Sequence, residues 1–232
     1  MVAFATIGEN RRLGCSWQEC MRSEQCRCEA SSLAGFVQHL AVSCIPHGYF
    51  FYVRGEVPEG KDVRAVDLKL TSRYGLHHSK WSRARRKRNG IANIRYARWQ
   101  RTFVLIATHG LHPFFDEEER NIRDVRRVPL KVFGYSLGHS GGHAHVRIER
   151  EEYKRLKAYF LDIAKHRRAE HLADEFRSLP FEPYAPIRRQ LLGLLRAVNR
   201  ERTEAGYELV GLDALRLHRL IVKPFERPSA AQ

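Results

Sequence analysis

Two histidines one residue apart, His143 and His145 in the run GGHAHVRI, carry the sharpest chemical signal of the chain. On a strand such a pair projects from one face about 7 Å apart, by the strand rise. That spacing suits shared ligation of one divalent ion, with a third ligand from elsewhere. The alternative is a sheet-face pair that contacts phosphate or solvent. A second group of ligand types is His109 and His112, followed by Asp116, Glu117, Glu118 and Glu119. A metal could sit there, or the acids could balance neighbouring arginines. Cys15, Cys20, Cys26 and Cys28 lie close together, with Cys44 and His47 further on. Their spacings do not repeat the paired C-x2-C knuckles of common structural zinc sites, so a loosely ordered extension is the expectation there.

The His143-Ala144-His145 strand resembles the metal-binding motif of the HUH endonucleases, the replication initiators, relaxases and single-strand transposases of mobile elements. The resemblance covers about eight residues and implies an antiparallel sheet bearing a metal, Mg2+ or Mn2+, that orients and polarises a DNA phosphodiester. It further implies a helical tyrosine as nucleophile. Of the candidates Tyr153, Tyr159 and Tyr184, the last precedes a helix with Arg188, Arg189 and Gln190. Carried over, Tyr184 would be the nucleophile, His143 and His145 the metal ligands, and Gln190 a third ligand. Tyr153 and Tyr159 fall on an apolar helix face, as core residues do.

Charge points to a second kind of chemistry. Residues 68 to 115 contain no aspartate or glutamate, yet hold eleven of the chain's lysines and arginines. The formal net charge is +15, so the other 184 residues supply only +4. The densest part reads SKWSRARRKRNG, a helix expected to start after Ser79 and stop at Asn89-Gly90. Only Trp81 and Ala84 are apolar in it, so it cannot be well buried. Solvated surfaces ordinarily mix both signs, whereas an acid-free window this long fits a polyanion. The expected interface comprises Arg73, Lys80, Trp81, Arg83, Arg85, Arg86, Lys87, Arg88, Arg95, Arg98, Trp99 and Arg101. Trp99, between two strand candidates, is the expected platform for stacking on unpaired bases.

The elements that must position these residues follow from periodicity. Ser32 caps a helix with Leu33, Phe36, Val37, Leu40, Ala41 and Cys44 on one stripe. Residues 49–57 read as a strand, and Asp62 opens a helix with Val63, Val66, Leu70 and Tyr74. Strands follow at 93–99 and 102–108, the second (TFVLIAT) a doubly buried central strand. A long loop is expected at 109–127, then strands at 129–137 and 143–148. The last third reads as helices at 151–165, 168–178 and 187–202, with a possible strand within 207–226. The fold class is α+β: an antiparallel sheet of about four to five strands, helices on one face, and a helical C-terminal third. Residues 1–30 form the extension, 31–226 a single domain (31–150 sheet-containing, 151–226 mostly helical), and 227–232 a tail.

Composition excludes some classes. Apolar content of 43% and aromatic content of 10% are those of a globular chain, not a basic tail. No apolar run is long enough for a membrane span, and no secretory signal is expected at the start. Five cysteines, all before residue 45, make no disulfide framework, and a reduced, cytoplasmic compartment is expected. The favoured reading is a nucleic-acid-binding protein, DNA or RNA, without chemistry of its own. It would act as an accessory factor of a mobile element or ribonucleoprotein within a larger nucleoprotein complex, with no membrane partner and no required cofactor. The alternative is the HUH-like, metal-dependent DNA-nicking or strand-transfer enzyme.

Overall fold

The computed structural model describes residues 28–76 and 78–225. Most of the 1–30 extension, with Cys15, Cys20 and Cys26, and the 227–232 tail lie outside the described residues. The fold is α+β with two antiparallel sheets. No helix among the described residues is long and apolar enough to cross a membrane.

The first sheet has the order β2-β3-β1-β4, with β1 Tyr49–Glu56, β2 Ile94–Trp99, β3 Thr102–Thr108 and β4 Arg123–Asp124. β3 lies between β2 and β1 and is buried along nearly its whole length, as TFVLIAT requires. A strand buried on both faces needs cover on both sides, so the helices are not confined to one face. One side carries Val53, Ile94, Tyr96, Leu105 and Ala107 with Tyr74 and Phe114, beneath helix α2 (Val63–Arg73) and the short α4 (Pro113–Glu117). The other side carries Tyr52, Ala97, Val104 and Ile106 in a larger core. That core takes in α1 (Leu33–Gln38), continued by a π-turn segment His39–Cys44 and a 3-10 turn. It also takes in the second sheet and the C-terminal helices.

The second sheet is a meander, β5 (Leu130–Val132), β6 (Tyr135–Ser140) and β7 (His143–Ile148). Residues 129–137, expected as one strand, are thus split between two. Phe133 and Gly134 both take positive φ (47° and 76°), the signature of a two-residue hairpin turn. Gly141 and Gly142 (58° and 81°) make the next one. These two turns fold what looked like part of a single sheet into a separate three-stranded one. Its inner face, Leu130, Val132, Tyr135, Leu137, Val146 and Ile148, packs into the larger core.

Helices α5 (Arg150–Ile163), α6 (Ala169–Ser178) and α7 (Ala185–Glu204) close that core through Phe160, Leu172, Phe176, Leu191, Leu194 and Val198. The segment after α7 forms a 3-10 turn at Leu212–Ala214 and then runs extended without joining a sheet, so the strand expected within 207–226 is absent there. It is held instead by α1. The Gln38 amide donates to the Val222 carbonyl (2.7 Å) and accepts from its N–H (3.3 Å), and Ser31 N–H donates to the Pro224 carbonyl (2.8 Å). The expected loop at 109–127 contains α4 and β4, which pairs with Phe51 and Tyr52.

Candidate nucleic-acid interface

Helix α3 (Lys80–Arg88) begins and ends where its sequence says. The Ser79 hydroxyl accepts from Ser82 N–H (3.1 Å), and Asn89 closes the helix before Gly90 at φ 71°. None of its residues is buried. With no apolar stripe, it is fixed to the sheet by polar bonds. Asn93 donates its amide to the Arg83 carbonyl (3.0 Å), and Arg86 donates to the Ala92 carbonyl (2.9 Å). Arg83 reaches back to the His78 carbonyl. At the far end Leu111 N–H donates to the Gly90 carbonyl (2.8 Å), and Ala92 N–H to the Leu111 carbonyl (3.1 Å). Gly110 makes that approach possible. At φ 137° it lies so close that a Cβ would stand 2.6 Å from Ala92 N and Gly90 O. These anchors, Asn93 and Gly110 above all, escape the sequence reading. An asparagine ahead of a strand and a glycine after one are the faint signals they leave.

The eleven cations of the acid-free window divide into two sets. The structural set looks inward. Arg98 is 3% exposed and forks onto Asp67, itself 6% exposed, through Nε and Nη2 (both 3.0 Å). Its Nη1 donates to Glu29 (3.2 Å) and to the Gln100 carbonyl (2.5 Å). Tyr96 completes the cluster by donating its hydroxyl to Asp67 (2.5 Å), and burial together with that carboxylate pushes its pKa far up. Arg95 donates to the Ser43 carbonyl (2.8 Å) and lies over the Tyr49 ring. Arg101 is spent on the carbonyls of Val57, Pro58 and Lys61, and Arg73 on Glu117 (2.8 Å). Arg73, Arg95, Arg98 and Arg101 therefore hold the fold, as do Arg83 and Arg86 through the bonds above. A side chain already engaged this way has few donors left for a phosphate.

The second set is Lys80, Arg85, Lys87 and Arg88 on α3, with Lys69 on α2. All five are exposed and have neither an ion pair nor a side-chain hydrogen bond to any described residue. Helix α5 behaves differently: its Lys154 and Arg155 are each paired with a glutamate three residues earlier.

Of the two tryptophans named for the interface, the one expected as a platform is the less exposed. Trp99 is half-buried and packs against the larger core, because β2 turns that face inward. Trp81 is 82% exposed. A helix with only two apolar positions offers no stripe through which to bury an indole, and that is the signal that marks it.

The histidine pair and the tyrosine are not brought together. His143 is exposed on the outer face of the second sheet, while the His145 ring folds across Gly138 on β6. A Cβ at Gly138 would stand 2.4 Å from His145 Nε2. Burial first, and then Arg147 and His139, lower the His145 pKa. Tyr184 stands just before α7 and lines a cleft of about 320 Å³ with Ala144 and Val146, on the opposite face of β7. Gln190 is committed to the backbone, accepting from Ile148 N–H (2.8 Å) and donating to its carbonyl (3.1 Å). Tyr153 donates to the Gln190 carbonyl (3.1 Å). Tyr159, expected in the core, is 46% exposed and bonds Glu175 (3.3 Å).

The remaining ligand types are similarly employed. His112 caps α4 by accepting from Phe114 N–H at Nδ1 (3.1 Å), and burial followed by the charge of Arg86 lowers its pKa. Glu117 and Glu118 tie the same loop to Arg73 and Tyr74. Cys28 and Cys44 are buried, and burial pushes the Cys44 thiol up to about 11. No group of three or more histidine, cysteine or acidic side chains among the described residues is arranged to hold a metal. No protein-family model matches the chain, and no curated protein is similar to it.

Proposed function

We propose that the chain binds nucleic acid through the outward face of α3, without chemistry of its own. One observation carries this. Six cations stand on nine residues of helix, and none of them meets a carboxylate among the described residues. Like charges at this density repel along the helix, and self-repulsion of that kind is relieved when a polyanion lies against it. The polar anchoring of α3 supports the reading as well. Arg83 and Arg86 turn inward to fix the helix, which leaves Lys80, Arg85, Lys87 and Arg88 to reach outward from a rigid base. Phosphate oxygens are the acceptors that guanidinium and ammonium groups match best, and nucleic acid offers them as a continuous row. The expected setting is a nucleoprotein complex.

The test is salt dependence. Replacing Lys80, Arg85, Lys87 and Arg88 together by glutamine removes four phosphate contacts at most. The log-log slope of affinity against salt should then flatten by roughly 3 to 4 on a duplex and by about 3 on a single strand. Filter binding across a range of salt concentrations measures it. An unchanged slope takes α3 out of the interface.

A further inference from the structure

The binding face of α3 has a second component that phosphate contact does not require. Trp81, Ala84, Arg85 and Arg88 are all exposed and follow one another at i, i+3, i+4 and i+7, so they form a single outward stripe. The indole stands at one end of it. The backbones of Arg85 and Arg88 follow at about 6 and 10 Å along the axis, by the helical rise. The small Ala84 between them leaves room for close approach. Trp81 makes no aromatic or cation–π contact with any described residue, so its ring faces are uncovered. It is 82% exposed, where an indole would ordinarily bury 150 to 250 Å².

We infer that this stripe takes single-stranded nucleic acid, one unpaired base stacking on Trp81 while the adjoining phosphates meet Arg85 and Arg88. The inference rests on the nucleic-acid reading of α3 and narrows it. In a duplex the π-faces of the bases are already stacked on one another, and the grooves present only base edges. An indole laid against such a surface meets sugar and phosphate, and gains little from its ring. An unpaired base offers its face, and stacking on an aromatic side chain is the recurring way single strands are held.

The experiment uses the full chain, with fluorescent 20-nucleotide RNA, DNA of the same sequence, and the corresponding DNA duplex, read by anisotropy at fixed salt. Trp81→Ala should weaken single-strand binding roughly 5- to 150-fold, the equivalent of one lost stacking contact. Trp81→Phe should recover part of that loss, and the duplex affinity should not respond to either variant. Because the indole is 82% exposed, both variants should melt as the parent does. A loss on the RNA, the DNA or both supports the inference and shows which sugar the site accepts. Unchanged single-strand affinity in Trp81→Ala, or a parent that prefers duplex, overturns it. If the parent still binds in that case and the four-glutamine variant does not, the charge reading of α3 survives alone. Should the parent bind none of the three probes, both readings fall.

Discussion

Replacing Arg98 by methionine is expected to cost about 3 to 5 kcal/mol of folding stability, whereas the same replacement at Arg85 should cost less than about 0.5. Both arginines belong to one acid-free window and look alike in sequence. Arg98, however, is 3% exposed, and its guanidinium is the principal partner of a carboxylate that is 6% exposed. Methionine matches the length of the aliphatic stem but leaves Asp67 with the Tyr96 hydroxyl as its remaining donor. A buried carboxylate stripped of its counter-charge is among the few single changes that reach this size. The cost would be a large share of the stability of a typical domain. Arg85 has neither partner nor burial, and its loss leaves nothing unsatisfied.

The measurement is urea unfolding followed by circular dichroism at neutral pH, comparing midpoints at constant slope. A third variant separates the pair from its site. Asp67→Asn combined with Arg98→Met removes both charges, and it should regain half or more of the loss, because much of the penalty in the single variant is the stranded charge. An Arg98→Met protein within 1 kcal/mol of the parent would refute the reasoning. So would an Arg85→Met protein that is equally destabilised, since the division of the window into structural and unpartnered cations would then have no physical content.

Acid should act through His39, whose pKa is lowered to about 4 by burial first and by Arg95 second. Between that value and about 6.5 the unfolded chain takes up a proton that the folded chain refuses, so stability falls as pH drops through this window. From pH 7 to pH 4.5 the His39 contribution is a loss of roughly 2 to 3 kcal/mol. His39→Gln should remove that part of the pH dependence of urea midpoints, and an equal loss in the variant would exclude His39 as the cause. Gly110→Ala should lower stability by about 2 to 4 kcal/mol, since its Cβ has no space against the Ala92 and Gly90 backbone and its φ of 137° suits only glycine. A melt within a degree or two of the parent would show that the junction can open without cost.

What the sequence made legible is what local rules govern. Ser79 and Asn89-Gly90 bound α3 because capping is decided within four residues. The doubly buried β3 was legible because seven apolar or threonine residues in a row leave no polar face. What it hid depends on distant partners. In IRYARW nothing distinguishes Arg98 from Arg95, since the difference is an aspartate 31 residues upstream. The pair His143 and His145 does share a strand face, as alternation requires, but alternation equally puts Tyr184's neighbours Ala144 and Val146 on the other side. The resemblance at GGHAHVRI could show the first fact and not the second. Phe133-Gly134 reads as the middle of a strand until both positive φ angles are seen.

The limits of the acid-free window themselves carry meaning. Asp67 is the last residue before it and Glu117 the second residue after it, and these two supply the counter-charges for Arg98 and Arg73. Two of the structural cations are thus neutralised from just outside the window, Arg98 by an α2 residue facing the sheet and Arg73 by the last residue of α4, while the other four donate to backbone carbonyls. No carboxylate needs to stand near α3 for the fold to close. A glutamate within α3 could have supported the helix by pairing four residues away, as the pairs of α5 support theirs at three. It would also have occupied a cation on the outward face. Helix α3 instead takes its support from Ser79, Asn93 and the turned-in Arg83 and Arg86, bonds that use no carboxylate. Its stability and its free positive charge come from different side chains, so the outward cations carry no part of the bonding that fixes the helix.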